Sequence, residues 1–233
     1  MSIDSPGDTP PWQDRELISR LEPMLELLAT SHVSLSSVTD PEEARNVHVA
    51  DSLSGLACHE VREARSSADL GSGGGFPGIP LAVALPACDF TLIDSVGRKV
   101  EFVNEVISSL GLENARAVKA RSEDWAKDEG FENYDLVTAR AVAPLSVLAE
   151  LASPLLREGG HLVAWKGEAE PDFETVIADN HDKLAMSIDR QELVIPYEGS
   201  REQRLYVLVK DGPTPKGLPR RAGIARKRPL DRN

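Results

Sequence analysis

Asp69-Leu70-Gly71-Ser72-Gly73-Gly74-Gly75-Phe76-Pro77-Gly78-Ile79-Pro80-Leu81-Ala82-Val83-Ala84-Leu85-Pro86 is the stretch that decides the fold. A short apolar run, Ser67–Leu70, reads as a strand and passes straight into a glycine-rich bend. Ile79–Ala84 then opens a helix. Glycines at such a bend let the backbone turn sharply and let a ligand approach without meeting a Cβ. The helix that follows turns free N–H groups towards the same place. Asp94 stands twenty-five positions after Asp69, at the end of the next strand, where a carboxylate can accept both hydroxyls of a ribose.

Outward from this stretch, strands and helices alternate. Asp89–Ile93 is a strand ending at Asp94, and Val96–Leu110 a helix closed by Gly111. Ala115–Lys119 and Asp135–Ala139 are strands. Leu145–Leu156 is a helix closed by Gly159-Gly160, and His161–Trp165 is a fifth strand. Glu192–Pro196 and Arg204–Val209 read as a closing pair. The order predicts an α/β, Rossmann-like, mostly parallel seven-stranded sheet with helices on both faces. Upstream, Leu17, Ile18, Leu21, Met24, Leu25 and Leu28 recur at helical spacing, and Pro23 splits them into two short helices. Asp40-Pro41 starts a further helix running from Glu42 to about His59. These elements form an N-terminal helical appendage after a Pro/Asp/Gly-rich start expected to be disordered. The expected organisation is thus 1–60, disordered start and appendage; 61–210, cofactor-binding domain; and 211–233, a basic, flexible tail.

The 233 residues carry 26 basic and 38 acidic side chains, a net charge of −12, which by itself speaks against a nucleic-acid partner. The distribution reverses that argument. From Lys210 to Asn233 eight basic residues face two acidic ones, a tail of +6 on a body of −18. Such a segment is either a phosphate-binding arm or a solvated tail. Cys58 and Cys88 have no metal spacing and read as reduced core residues, and no metal site is expected. No secretory start or membrane-length apolar run occurs, so a cytoplasmic monomer without membrane attachment is expected.

The glycine loop departs from a dinucleotide fingerprint. Gly71 and Gly73 fit, but Phe76 stands where the last glycine should be, followed by Pro77. That favours a nucleoside cofactor without a pyrophosphate over a nicotinamide dinucleotide. A P-loop is excluded for lack of Gly-Lys-Ser/Thr.

Gly71–Pro86 with Phe90–Val106 resembles the RsmG (GidB) family of bacterial 16S ribosomal RNA 7-methylguanosine methyltransferases. The resemblance continues through His48–Ser52, Ala120–Asp124, Thr138–Ala141, Ala164–Gly167 and the basic ending Pro215–Gly223. It implies a class I methyltransferase fold, S-adenosylmethionine as cofactor, and 16S ribosomal RNA or the 30S particle as partner. It places Gly71, Gly73 and Phe76 against the cofactor, Asp94 on the ribose, and Ser122 and Glu123 beside the adenine. Arg140 falls at the cofactor and substrate pocket. Arg121, Lys166 and Arg204 match basic positions that face RNA or the active site. Two departures stand out: Ser34-Leu35-Ser36 replaces an Asn-Leu-Thr, and Val47 replaces an arginine.

Guanine N7 carries an in-plane lone pair and no proton, so its methylation is an in-line displacement that needs positioning more than a base. Arg140 and Lys166 are the candidate catalytic residues. Arg140 would anchor an RNA phosphate or the guanine O6 edge; the alternative is an ion pair with Asp135 or Glu123 that holds two loops. Lys166 follows a strand at the carboxyl edge, where α/β sheets bind ligands. His48 is either a ligand to the base or a helix histidine satisfied by Asp51. Arg220 and Arg221 would contact phosphate without base specificity. Trp165 reads as core. Rival readings are a methyltransferase of small molecules or proteins, which has no use for the basic tail, and a non-enzymatic RNA-binding protein, which should not bind the cofactor.

Overall fold

A computed structural model of the chain describes residues 10–33, 35, 38, 40–167, 170 and 172–230. Residues 1–9, Ser34 and Ser36 lie outside them, as does the end of the tail from Asp231. Seven strands form one sheet: β1 (Ser66–Leu70), β2 (Asp89–Asp94), β3 (Ala115–Lys119), β4 (Tyr134–Arg140), β5 (Leu156–Lys166), β6 (Met186–Val194) and β7 (Gln203–Lys210). Their order is β3-β2-β1-β4-β5-β7-β6. β7 runs antiparallel to both neighbours, and the other pairings are parallel. The chain leaves β1 towards β2 on one side and returns to β4 on the other. The carboxyl ends of β1, β2 and β4 therefore flank the crevice at which open α/β sheets take ligands.

Side-chain alternation sends each strand's residues to two separate cores, one on each face of the sheet. Phe90 and Leu92 of β2 and Leu136 of β4 join the first, while Ile93, Val137 and Ala139 join the second. The N-terminal helices Arg15–Ser19 and Glu22–Thr30 pack on the first core through Leu17 and Ile18 of the one, Met24 and Leu25 of the other, and Leu21 between them. The helix Gly97–Leu110 buries Phe102, Val103, Val106 and Ile107 in the same core. It ends where Gly111 turns left-handed at φ 63° and Leu112 N–H returns to Ile107 O at 3.1 Å.

The structure departs from the sequence reading in several places, and β6 spans Met186–Val194 rather than Glu192–Pro196. The helix from Pro41 is not uniform. It widens to a π-helical stretch over Arg45–Ala50, tightens over Ser54–Ala57 and breaks at Cys58, before a new helix His59–Glu63. The helix from Leu145 ends at Ala152, because Pro154 has no N–H to continue it, and β5 begins at Leu156 rather than His161. Two short helices, Phe173–Asp179 and His181–Leu184, cross from β5 to β6.

The tail, expected to be flexible, is packed against the body as far as it is described. Lys210 at its root is fully buried and donates to Glu132 Oε1 (2.8 Å), Leu156 O (2.7 Å) and Thr214 Oγ1 (2.6 Å). Ala225, in the short helix Ile224–Lys227, is buried, and Leu230 lies against the second core. Most buried polar and charged atoms are paired in folded proteins, and these contacts supply the partners of the buried Lys210 ammonium.

Candidate cofactor and substrate site

At the end of β1 the chain turns through Gly71, whose φ of +63° is left-handed and whose hypothetical Cβ would lie 3.0 Å from Val142. The bend is tied to the next strand from two sides. Ser72 N–H donates to Ile93 O at 3.1 Å, and Gly73 N–H donates to Asp94 Oδ2 at 3.1 Å. The other oxygen of Asp94 accepts from Val96 N–H at 2.8 Å. One carboxylate thus joins the glycine bend to the turn after β2. A carboxylate oxygen has two lone-pair sites, so each Asp94 oxygen retains one for a further donor.

Behind the bend, Asp69 is fully buried between Thr138 Oγ1 (2.8 Å) and Gly78 N–H (3.2 Å), both donating to it. Burial pushes its carboxyl up to about 7, against the lowering pull of those two donors. Position 78 admits no side chain: a Cβ there would stand 2.8 Å from Asp69 Oδ2. Asp69 fastens the helix Gly78–Ala84 to the sheet.

A cavity of about 320 Å³ opens beside the bend, within the range of small-ligand sites. Gly71, Asp94, Arg121, Ser122 and Glu123 line it, so five residues singled out in the sequence meet at one place. Gly73 reaches it through Asp94. Glu123 is buried and receives Gly223 N–H on Oε1 at 2.6 Å, while Ser122 Oγ stands 3.4 Å from Oε2. Gly223 and Arg226 complete that side of the lining, along with Lys99.

Phe76 and Arg140 do not line this cavity. They form a second cluster with His48 and Asp51, where the N-terminal helix meets the end of β4. Arg140 Nη1 donates to Asp51 Oδ2 (2.8 Å) and Val47 O (3.0 Å), and the guanidinium lies 5.2 Å from the centre of the Phe76 ring. The π-helical stretch presents the Val47 carbonyl to it. The partner of Arg140 is therefore Asp51, not Asp135 or Glu123. Burial raises the Asp51 carboxyl and Arg140 opposes the shift. His48 stacks on Phe76 with ring centres 4.8 Å apart, and its Nδ1 stands 3.4 Å from Arg140 Nη2. Burial, then the Arg140 charge, holds the imidazole down to about 4, which keeps it neutral at physiological pH. Trp165 is buried as expected, and its indole N–H donates to Asp51 O at 2.9 Å.

Lys166 Nζ donates to Ala143 O at 2.7 Å and pairs with Glu170, which itself accepts Leu145 N–H at 2.9 Å. The lysine thereby pins the loop between β4 and the next helix. Arg204 stands beside it in the β5–β7 register and reaches Glu202 at 3.4 Å. Arg220 is not a free phosphate ligand: it forks onto the buried Glu150. Arg221 is exposed. Sequence reasoning named Asp51 only as a partner for His48, and it missed the pairing of Asp51 with Arg140, the bond from Thr138 to Asp69, and the place of Gly223 and Arg226 in the lining. All of these but Arg226 lay inside stretches already singled out.

Among the described residues no cluster of His, Cys, Asp or Glu could hold a metal ion, and no helix is long and apolar enough to cross a membrane.

Residues 16–202 match a family model described as GidB, rRNA small subunit methyltransferase G. A protein named ribosomal RNA small subunit methyltransferase G from Rubrobacter xylanophilus is 40% identical over 222 residues, covering 93% of this chain and 85% of that one. A protein of the same name from Clostridium beijerinckii is 37% identical over 200 residues, covering 85% and 83%. Among solved structures, a SAM-dependent methyltransferase from Aquifex aeolicus superposes with a TM-score of 0.51 at 14% identity, covering 73% of this chain and 94% of that one. TYW2 of P. horikoshii, solved with MeSAdo, gives 0.50 at 14% identity, covering 66% and 61%. At that identity the likeness concerns the fold, which is that of class I methyltransferases.

Proposed function

Because the chain belongs to the rRNA small subunit methyltransferase G (GidB) family, we propose that it binds S-adenosylmethionine in the cavity at the ends of β1, β2 and β3 and methylates guanine N7 in 16S ribosomal RNA, as naked RNA or in the 30S particle. The observation that carries this reading is the bend at Gly71 held to Asp94 beside a cavity of about 320 Å³. The residues fit the cofactor. Gly71 presents bare backbone against Val142, Asp94 keeps lone pairs for two ribose hydroxyls, and Ser122 and Glu123 supply polar edges for an adenine. Bound there, the cofactor supplies a methyl group on a positively charged sulfur.

The chain's own part is to place and to dry. No residue has to remove a proton, because N7 has none. A neutral His48 suits a site in which the acceptor ring gains positive charge, since a cation there would oppose it. Arg140, bound to Asp51 and the Val47 carbonyl, acts by fixing the N-terminal helix on β4, and so shapes the wall that a guanine would meet. Lys166 does the same for the loop after β4. Arg121, Arg204 and Arg221 remain for phosphate contacts, which give affinity and salt dependence without base choice. The test is to map 7-methylguanosine in small-subunit ribosomal RNA from cells with and without the protein. One modified guanine should disappear with the gene; an unchanged map overturns the proposal.

A further inference from the structure

Beyond residue 202, where the family match ends, the chain completes β7 and then returns to the cavity. Arg220 Nε donates to Glu150 Oε1 at 2.6 Å, Nη2 pairs with the other oxygen, and Nη2 also donates to Arg228 O at 2.9 Å. Glu150 is 2% exposed, on the apolar helix Leu145–Ala152. A bidentate pair at a buried carboxylate fixes direction as well as distance. Three residues on, Gly223 N–H reaches the buried Glu123, which also faces the cavity. Ala225 is 1% exposed and fixes the far side of the same turn. The segment that composition marks as a phosphate arm is thus fastened by Arg220, Gly223 and Ala225, and Gly223 together with the exposed Arg226 forms lining of the cavity.

We propose that residues 220–228 are a wall of the S-adenosylmethionine site, with Arg220 as the positioning residue that holds the wall closed. The inference rests on the reading that this cavity takes the cofactor. Ligand that touches a closed segment stabilises the closed state by its differential affinity, and a segment that is part of the site must then open less often when ligand is bound. A merely structural tail would show no such response.

The test is amide hydrogen exchange of the full-length protein, free and saturated with S-adenosylhomocysteine. The amides of Gly223, Ile224 and Lys227 should exchange at least tenfold more slowly with the ligand, while those of the helix His59–Glu63, at the opposite end of β1, should not change. Protection confined to the Gly71–Phe76 bend and Val96, with residues 221–227 unaffected, overturns this inference and leaves the cofactor reading intact. No protection anywhere, with no binding heat, removes both. A second measurement uses Arg220→Ala combined with Glu150→Gln, which avoids stranding a buried carboxylate. Calorimetry below its melting temperature should give a dissociation constant for S-adenosylhomocysteine at least fivefold weaker than that of the unaltered protein, and Arg220→Lys should fall between the two. An unchanged constant in the folded double variant overturns the proposal, and if that variant does not fold, the exchange result decides.

Discussion

Replacing Arg140 with alanine strips Asp51 of its charged partner among the described residues, in a setting where both side chains are nearly enclosed, at 15% and 16% exposure. Breaking a buried pair costs about 3–5 kcal/mol. The residual exposure argues for the lower end, near ~3 kcal/mol. The Val47 carbonyl also loses the donor it has at 3.0 Å, which adds about 1 kcal/mol. For a domain of this size each kcal/mol moves the melting temperature by roughly 2–4 °C. The expected drop for Arg140→Ala is therefore about 8–16 °C by scanning calorimetry. Asp51→Ala should destabilise for the mirror reason. The double variant should lose less than the sum of the two, with a coupling of about 1–3 kcal/mol. Well below its melting temperature, Arg140→Ala should still bind S-adenosylhomocysteine within a few-fold, because Arg140 does not line the cavity. A shift of less than about 2 °C, or strictly additive losses, would refute the assignment of Arg140 as the clamp between the N-terminal helix and β4.

Three further outcomes follow from the same geometry. Gly71→Ala forces a side chain into left-handed backbone, at about 1–2 kcal/mol, and against Val142; calorimetry should show both a lower melting temperature and weaker cofactor binding. Asp69, held up to about 7 in the fold, binds its proton more tightly folded than unfolded, so its share of stability is complete below the unfolded value near 4 and is lost as pH rises to 7; Asp69→Asn should flatten that part of the stability–pH curve relative to the unaltered protein, and parallel curves would contradict it. His48 should titrate by NMR near 4, and because its folded value is depressed, it withdraws stability as pH falls from 6.5 towards 4; a midpoint at 6.5 would mean that the ring is not buried against Phe76.

The parts of the site that sequence made legible are those encoded locally. The run from Asp69 to Pro86 announces strand, bend and helix by itself, and the carboxylate at Asp94 follows from the spacing of the next strand. The helix Gly97–Leu110 was bounded to within a residue, because its periodicity and Gly111 agree. What stayed hidden depends on partners far away in the chain. Arg140 meets Asp51 across 89 positions and Arg220 meets Glu150 across 70, and no local pattern ranks one carboxylate above another. Charge counting leaves the tail as a phosphate-binding arm or a solvated, flexible segment, because it cannot see that Glu150, inside Leu-Ser-Val-Leu-Ala-Glu-Leu-Ala, is a buried acid that takes a cation. The π-helical stretch at Arg45–Ala50 has no signature in composition. The carbonyl of Val47 within it is taken by an arginine 93 positions away.

A crystal of the protein grown with S-adenosylmethionine puts the central claim to its most direct trial. The account predicts the ribose hydroxyls on the Asp94 carboxylate, the adenine between Ser122 and Glu123, and the methionine part against the backbone at Gly71. An unliganded bend at saturating concentration, or a nucleoside bound elsewhere with Asp94 still engaged only by Gly73 and Val96, would contradict it.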